Sequence, residues 1–117
     1  MDSILTSIKL MLGITAECKD FDGPIIAHIN TALMPLRQNG IGPETGFMVT
    51  NELDSWNSFL GEFGVENLQA VKTYVYCKVK MIFDPPQSST HLEALKSTVA
   101  ELEWRLNIQV DINNEEV

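Results

Sequence analysis

The stretch 66–83 constrains the fold more than any other part of this chain. Val71, Thr73, Val75, Cys77, Val79 and Met81 alternate as they would along a strand, while Leu68, Val71, Val75, Val79 and Ile82 recur at helical spacing. The run is long for a strand, and Asp84-Pro85-Pro86 forces a break after it, so a helix is predicted. Its second side carries Ala70, Tyr74, Cys77 and Met81, which leaves a narrow polar strip of Gln69, Thr73 and Lys80. A helix apolar nearly all round must be covered on both sides. The cover comes either from a small bundle built around it or from a neighbouring subunit. A chain of 117 residues is long enough for one core and too short for two domains.

The other segments read as helices of the same bundle. Residues 3–12 place Ile4, Leu5, Ile8, Met11 and Leu12 on one side, with Gly13 as the stop. Asp22 is the expected N-cap of a helix over 24–38, with Pro24 in its first turn and Ile25, Ile26, Ile29, Ala32, Leu33 and Leu36 in one stripe. His28, Thr31, Pro35 and Gln38 fall on the other side, and Pro35 predicts a bend and not a break. Asp54 is the expected cap of a short helix through Trp56, Phe59 and Leu60, stopped near Gly61 or Gly64. Thr90 and Glu93 fit a capping box ahead of Leu92, Leu95, Val99, Leu102 and Leu106, with a Glu101–Arg105 surface pair. The expected architecture is all-α, a small bundle of about four to five helices over residues 1–107. Residues 108–117, which include Asp111, Glu115 and Glu116, read as a flexible acidic tail.

Composition narrows the function classes. The net charge of −8 lacks the basic footprint that phosphate contacts need, which argues against an ordinary nucleic-acid binder. No apolar run reaches membrane-spanning length, and Lys9 interrupts the first apolar stretch, so neither a membrane helix nor a signal peptide is expected. Cys18 and Cys77 form no CxxC pair and suggest reduced thiols in a cytosolic protein. Asp20-Phe21-Asp22-Gly23 looks like part of a calcium loop, but the twelfth position is Ile29, where the bidentate carboxylate should stand. Gly40, Gly42 and Gly46 give no GxGxxG, and the Walker lysine is absent. His28 and His91 have no Ser or Cys partner at a suggestive spacing. No catalytic residue, metal or cofactor is expected.

Trp104 is the remaining outlier, because it lies roughly opposite the Leu92–Leu106 stripe, near Glu93, Ser97 and Glu101. A tryptophan on a polar face is either a protein–protein anchor or a residue packed under a loop of its own chain. With Trp104, the candidate interface residues are Tyr74, Met81 and Trp56.

Four ordered segments carry a family resemblance. They are Asp20-Phe21-Asp22 with Ile25-Ile26-Ala27-His28-Ile29-Asn30, and Gly46-Phe47 leading to Trp56. The third is Val71-Lys72-Thr73-Tyr74-Val75-Tyr76-Cys77-Lys78-Val79 running into Phe83-Asp84-Pro85-Pro86-Gln87-Ser88-Ser89, and the fourth is Glu101-Leu102-Glu103-Trp104-Arg105-Leu106-Asn107. Together they resemble the head–tail connector (adaptor, or DNA-packaging) proteins of tailed phages and prophages, over nearly the whole chain. The resemblance implies a small all-α subunit whose copies form a homo-oligomeric ring, usually dodecameric, below the portal protein. Such a ring extends the DNA channel, lets DNA pass without specific binding, and docks the next neck or tail-completion protein. It also implies a place in the virion neck, after assembly in the host cytoplasm, and a C-terminal segment reaching the portal, here Ile108, Val110, Asp111 and Ile112. The alternatives are another neck protein, such as a stopper or tail-completion protein, and an acidic phage-encoded inhibitor of a host nucleic-acid enzyme. The inhibitor would carry carboxylates spaced like phosphates along one face, whereas here they are scattered.

Overall fold

Five helices surround one core in the computed structural model, which describes residues 3–43, 45–61 and 67–115, with side chains to residue 111. The expected stop at Gly64, the expected helix start at Glu66, and the side chains of Ile112, Glu115 and Glu116 lie outside the described residues. In chain order the helices are α1 (Ile4–Met11), α2 (Asp22–Gln38), α3 (Trp56–Leu60), α4 (Leu68–Phe83) and α5 (Ser89–Glu115). The described residues contain no strand, and their extended pairing is one antiparallel bridge, Ser3 to Ser55.

Helix α4 is the centre. Val71, Tyr74, Val75, Cys77 and Val79 are all buried, and α4 packs against α2 on one side and α5 on another. Its cover therefore comes from its own chain, with α1 packed against both α2 and α4. Ile82, at the end of the predicted stripe, projects past the neighbouring helices and is exposed. From α2 come Ile25, Ile29, Ala32, Leu33 and Leu36, from α1 Ile4, Leu5 and Ile8, and from α5 Val99 and Leu106. Helix α2 passes through Pro35 to Gln38. Gly13 follows α1 at φ +86°, a conformation that costs glycine no side-chain clash.

Polar anchors tie the loops to this core. Lys9 is 2% exposed, yet its ammonium donates to the carbonyls of Cys18 at 2.6 Å and Ala16 at 3.2 Å. It also lies 2.8 Å from Asp22 Oδ1, a charge pair out of line for a hydrogen bond. Two carbonyl acceptors and one adjacent carboxylate thus compensate the buried cation. Asp22 is consequently not the N-cap: Phe21 holds that position without a side-chain cap, because the Asp22 carboxylate is turned to Lys9. The Asn30 side chain works like a strand partner, donating to the Val49 carbonyl at 3.0 Å and accepting from the Val49 N–H at 2.8 Å. Trp56 fills the space between α3 and α1, its indole N–H donating to Ser7 Oγ at 3.2 Å. The Ile4 N–H donates to the Asp54 carbonyl at 3.0 Å and closes the ring of contacts at the start of α1.

Three local expectations are corrected by these bonds. Ser55, not Asp54, caps α3, its hydroxyl accepting from the Ser58 N–H, while Asp54 is drawn into the preceding turn. Helix α5 begins at Ser89, so Thr90 lies inside it, and Ser88 Oγ accepts from the His91 N–H at 3.4 Å. Glu93 pairs instead with Lys96. Helix α5 also runs through Glu115, where an irregular tail is expected from residue 108 onward. Val110 accounts for part of that extension. It packs against the core, with Cγ1 3.4 Å from where a Cβ on Gly40 would stand.

The Tyr74 hydroxyl donates to Glu103 Oε2 at 3.2 Å and joins α4 to α5. Burial, reinforced by the Glu103 carboxylate, pushes the phenol well above its ordinary value of 10.0. The folded chain thus holds this proton more tightly than the unfolded chain, and the associated stability is complete below about pH 10 and falls as pH rises past it. The urea midpoint should decline as pH rises above about 10, and Tyr74→Phe should flatten that decline. Cys77, whose thiol is also pushed up by burial, contributes in the same direction. Lys9→Ala leaves Asp22 and two carbonyls without their buried partner, and urea unfolding should show a loss of about 3 kcal/mol.

Candidate interaction surfaces

Helix α5 lays one face on the core and turns the opposite face outward over a length of about 40 Å. Leu95, Val99, Leu102, Leu106 and Val110 form the inner face. Trp104 stands on the outer face, 62% exposed, with Ile108 one turn along and partly exposed. No loop of the described chain covers the indole. Arg105 Nε lies 3.3 Å from Glu101 Oε2 beside it, an exposed pair of small energetic value.

The other interface candidates have different locations. Trp56 and Tyr74 are fully buried, and the expectation that they face a partner is corrected: each fills the core of its own chain and has its polar atom bonded there. Their sequence positions could not separate the two fates, because a large amphipathic ring suits a core and an interface equally. Met81 is half-buried against the core. Of the C-terminal candidates, Ile108 and Asp111 are exposed on α5, while Val110 is packed inward. Tyr74, Met81, Trp56 and Trp104 are not brought together into one patch.

Two concave regions lie outside this set. One, of about 440 Å³, is an apolar groove between α4 and α5 lined by Tyr76, Lys80, Pro86, His91, Ala94 and Leu95. Lys80 at its edge is paired with Asp84 at 2.9 Å. The other, of about 510 Å³, opens at the C-terminal end of α2, where Met34, Arg37, Gln38 and Asn39 face Gly42, Pro43 and Val110. Arg37 Nε is buried there with no hydrogen-bond partner among the described residues. Gly42 shapes the wall: at φ +100° any Cβ would come within 2.6 Å of the Phe59 ring, so the loop can approach α3 this closely only with glycine. Phe59 in turn packs on Phe47, ring centroids 5.1 Å apart.

Residues 50–54 form an exposed turn held by side-chain hydrogen bonds. Asp54 Oδ2 accepts from the Thr50 N–H at 2.7 Å, the Asn51 N–H at 3.2 Å and the Thr50 hydroxyl at 3.1 Å. The Thr50 N–H is the main reason the Asp54 carboxyl sits below its usual range, with slight burial opposing it and the other two donors helping. Asn51 Oδ1 accepts from the Leu53 N–H at 2.8 Å, completing the turn. Arg37 and this turn escaped the sequence reading, since one arginine and one Asn-x-x-Asp run are common and carry no distinguishing spacing.

Among the described residues no group of three or more His, Cys, Asp or Glu side chains could hold a metal ion. No described helix is long and apolar enough to cross a membrane. Comparison with curated proteins and with solved structures gave no match. Residues 4–113 match the family model described as phage connector protein, a span that takes in all five helices but the last residues of α5. The chain belongs to the phage connector protein family, with a head–tail connector role in association with other phage head and tail proteins.

Proposed function

We propose that copies of this chain form a ring below the portal, extend the channel through which DNA passes, and dock the next neck or tail component, without catalysing a reaction. The observation that carries this reading is the family match over residues 4–113. An uncovered tryptophan on the outer face of a helix whose other face is fully used supports it. Exposed aromatic anchors of this kind are enriched where proteins meet.

Charge fits the same role. A chain of net charge −8 repels the duplex, so a channel wall built from it offers no binding minima to hold phosphate in transit. The acidic side chains are spread over loops and both faces of α5, which suits a diffuse repulsive field better than imitation of a phosphate row.

Two measurements test the proposal. Lysates of a phage lacking this gene should contain separate heads and free tails by electron microscopy, with DNA lost from the heads; joined, normal virions would refute the neck role. Trp104→Ala should shift folding stability by less than about 0.5 kcal/mol, as expected for an exposed position. The same change should weaken ring or portal association by at least about tenfold. An equal loss of folding with unchanged association would remove Trp104 from the interface.

A further inference from the structure

The turn 50–54 and the cavity at the end of α2 carry opposite charges, Glu52 on the one and Arg37 in the other, each beside apolar side chains. At the tip of the turn stand Glu52 and Leu53, and Leu53 is 83% exposed, the most exposed large apolar side chain among those described. The turn that presents them is held from three directions: by the Asp54 carboxylate, by Asn30 through Val49, and by the start of α1 through the Asp54 carbonyl. A carboxylate and a leucine are thus offered side by side on a rigid support, which lowers the ordering cost of binding.

The cavity has the matching composition. Met34, Pro43 and Val110 supply apolar wall, and Arg37 supplies a guanidinium whose buried Nε is without a partner among the described residues. Its volume of about 510 Å³ is of the size that encloses small ligands. Arginine recognises carboxylates through paired, parallel N–H donors, so a carboxylate with an apolar neighbour satisfies both parts of the site.

The two features do not touch within one chain, since neither Glu52 nor Leu53 lines the cavity. The turn is fastened opposite Asn30, and Arg37 lies two turns further along α2, about 10 Å away along its axis. Repeated in one sense from copy to copy, a contact between two such different features is heterologous, the kind that closes rings. Identical acidic subunits repel one another, and Glu52 meeting Arg37 replaces that repulsion locally with attraction.

We infer that Glu52 and Leu53 of one copy seat in the Arg37 cavity of the next copy, forming the subunit contact of the ring; the inference rests on the ring reading given above. Cross-linking of the full chain tests it, with Cys18→Ser in every variant. A Leu53→Cys chain mixed with a Met34→Cys chain at high concentration should give disulfide-linked dimers, while either alone stays monomeric. The chain carrying both substitutions should give a ladder of multimers. Adding Glu52→Gln to the first chain or Arg37→Gln to the second should lower the yield about tenfold. Swapping the charges, Glu52→Arg on one chain and Arg37→Glu on the other, should restore it.

No mixed cross-link, equal self-linking of the Leu53→Cys chain, or a yield indifferent to both neutral substitutions and the swap would overturn the contact. Retardation of duplex DNA by the unaltered chain, lost with Arg37→Gln, would reassign the cation to phosphate and overturn it as well. Failure here together with separated heads and tails in the gene-deleted phage would leave the connector role standing and remove only this contact.

Discussion

Everything in this fold follows from the need to keep water off α4. A helix with apolar side chains on nearly all sides is unstable in isolation, since most helical stability in proteins comes from packing one face. Here the remedy is local to the chain. Helix α2 takes one side, α5 another, and α1 packs against both α2 and α4. The arrangement commits most of α4 to the core of its own chain, and the most exposed large apolar side chains, Leu53 and Trp104 among them, stand on the loops and on the outer side of α5. That division explains how a chain of this size can be both a self-sufficient bundle and a building block.

The loops are fixed by a few polar groups, each solving a burial problem. An ammonium in the core is costly unless fully paired, and Lys9 is surrounded by two carbonyls and a carboxylate. In return it binds the link between α1 and α2 at both ends. Asn30 does the equivalent for the segment before α3, using an amide to pair both backbone groups of the buried Val49. These anchors hold the glycine-rich loop against α3, and with it the wall of the cavity at the end of α2.

Most of the helices were legible because spacing reports directly on burial. The α5 stripe and the α2 stripe both face the core as predicted, and the strand-like alternation in 71–81 lost to helix because Tyr74 is buried together with Val71 and Val75, which a strand would place on the opposite face. Caps were less legible. Asp22, Asp54 and Thr90 are all good N-cap residues, yet each is claimed by something the sequence cannot display: a buried cation, a turn, or an earlier serine. Lys9 gave the one available signal, a lone charge within an apolar stripe. For the interaction surfaces, Trp104 was marked by its place opposite the stripe, whereas Tyr74 and Trp56 were misplaced because a bonding partner distant in sequence decided their burial. The family resemblance rested on ordered segments of common residue types, and its span agrees with the matched region.

The order in which the chain emerges from a ribosome has a consequence for α1. Its apolar residues Ile4, Leu5 and Ile8 pack against α2 and α4, and Ser7 receives its bond from Trp56, forty-nine positions later. Helix α1 is therefore made before the elements that seal it, since its cover is complete only after α4 has been synthesised. By contrast, α4 and α5 are joined by a short link and pair soon after both exist, a local contact that costs little loop-closure entropy. Until α4 is made, the apolar stripe of α1 lacks part of its cover, and Lys9, still solvated at that stage, keeps the stripe in contact with water.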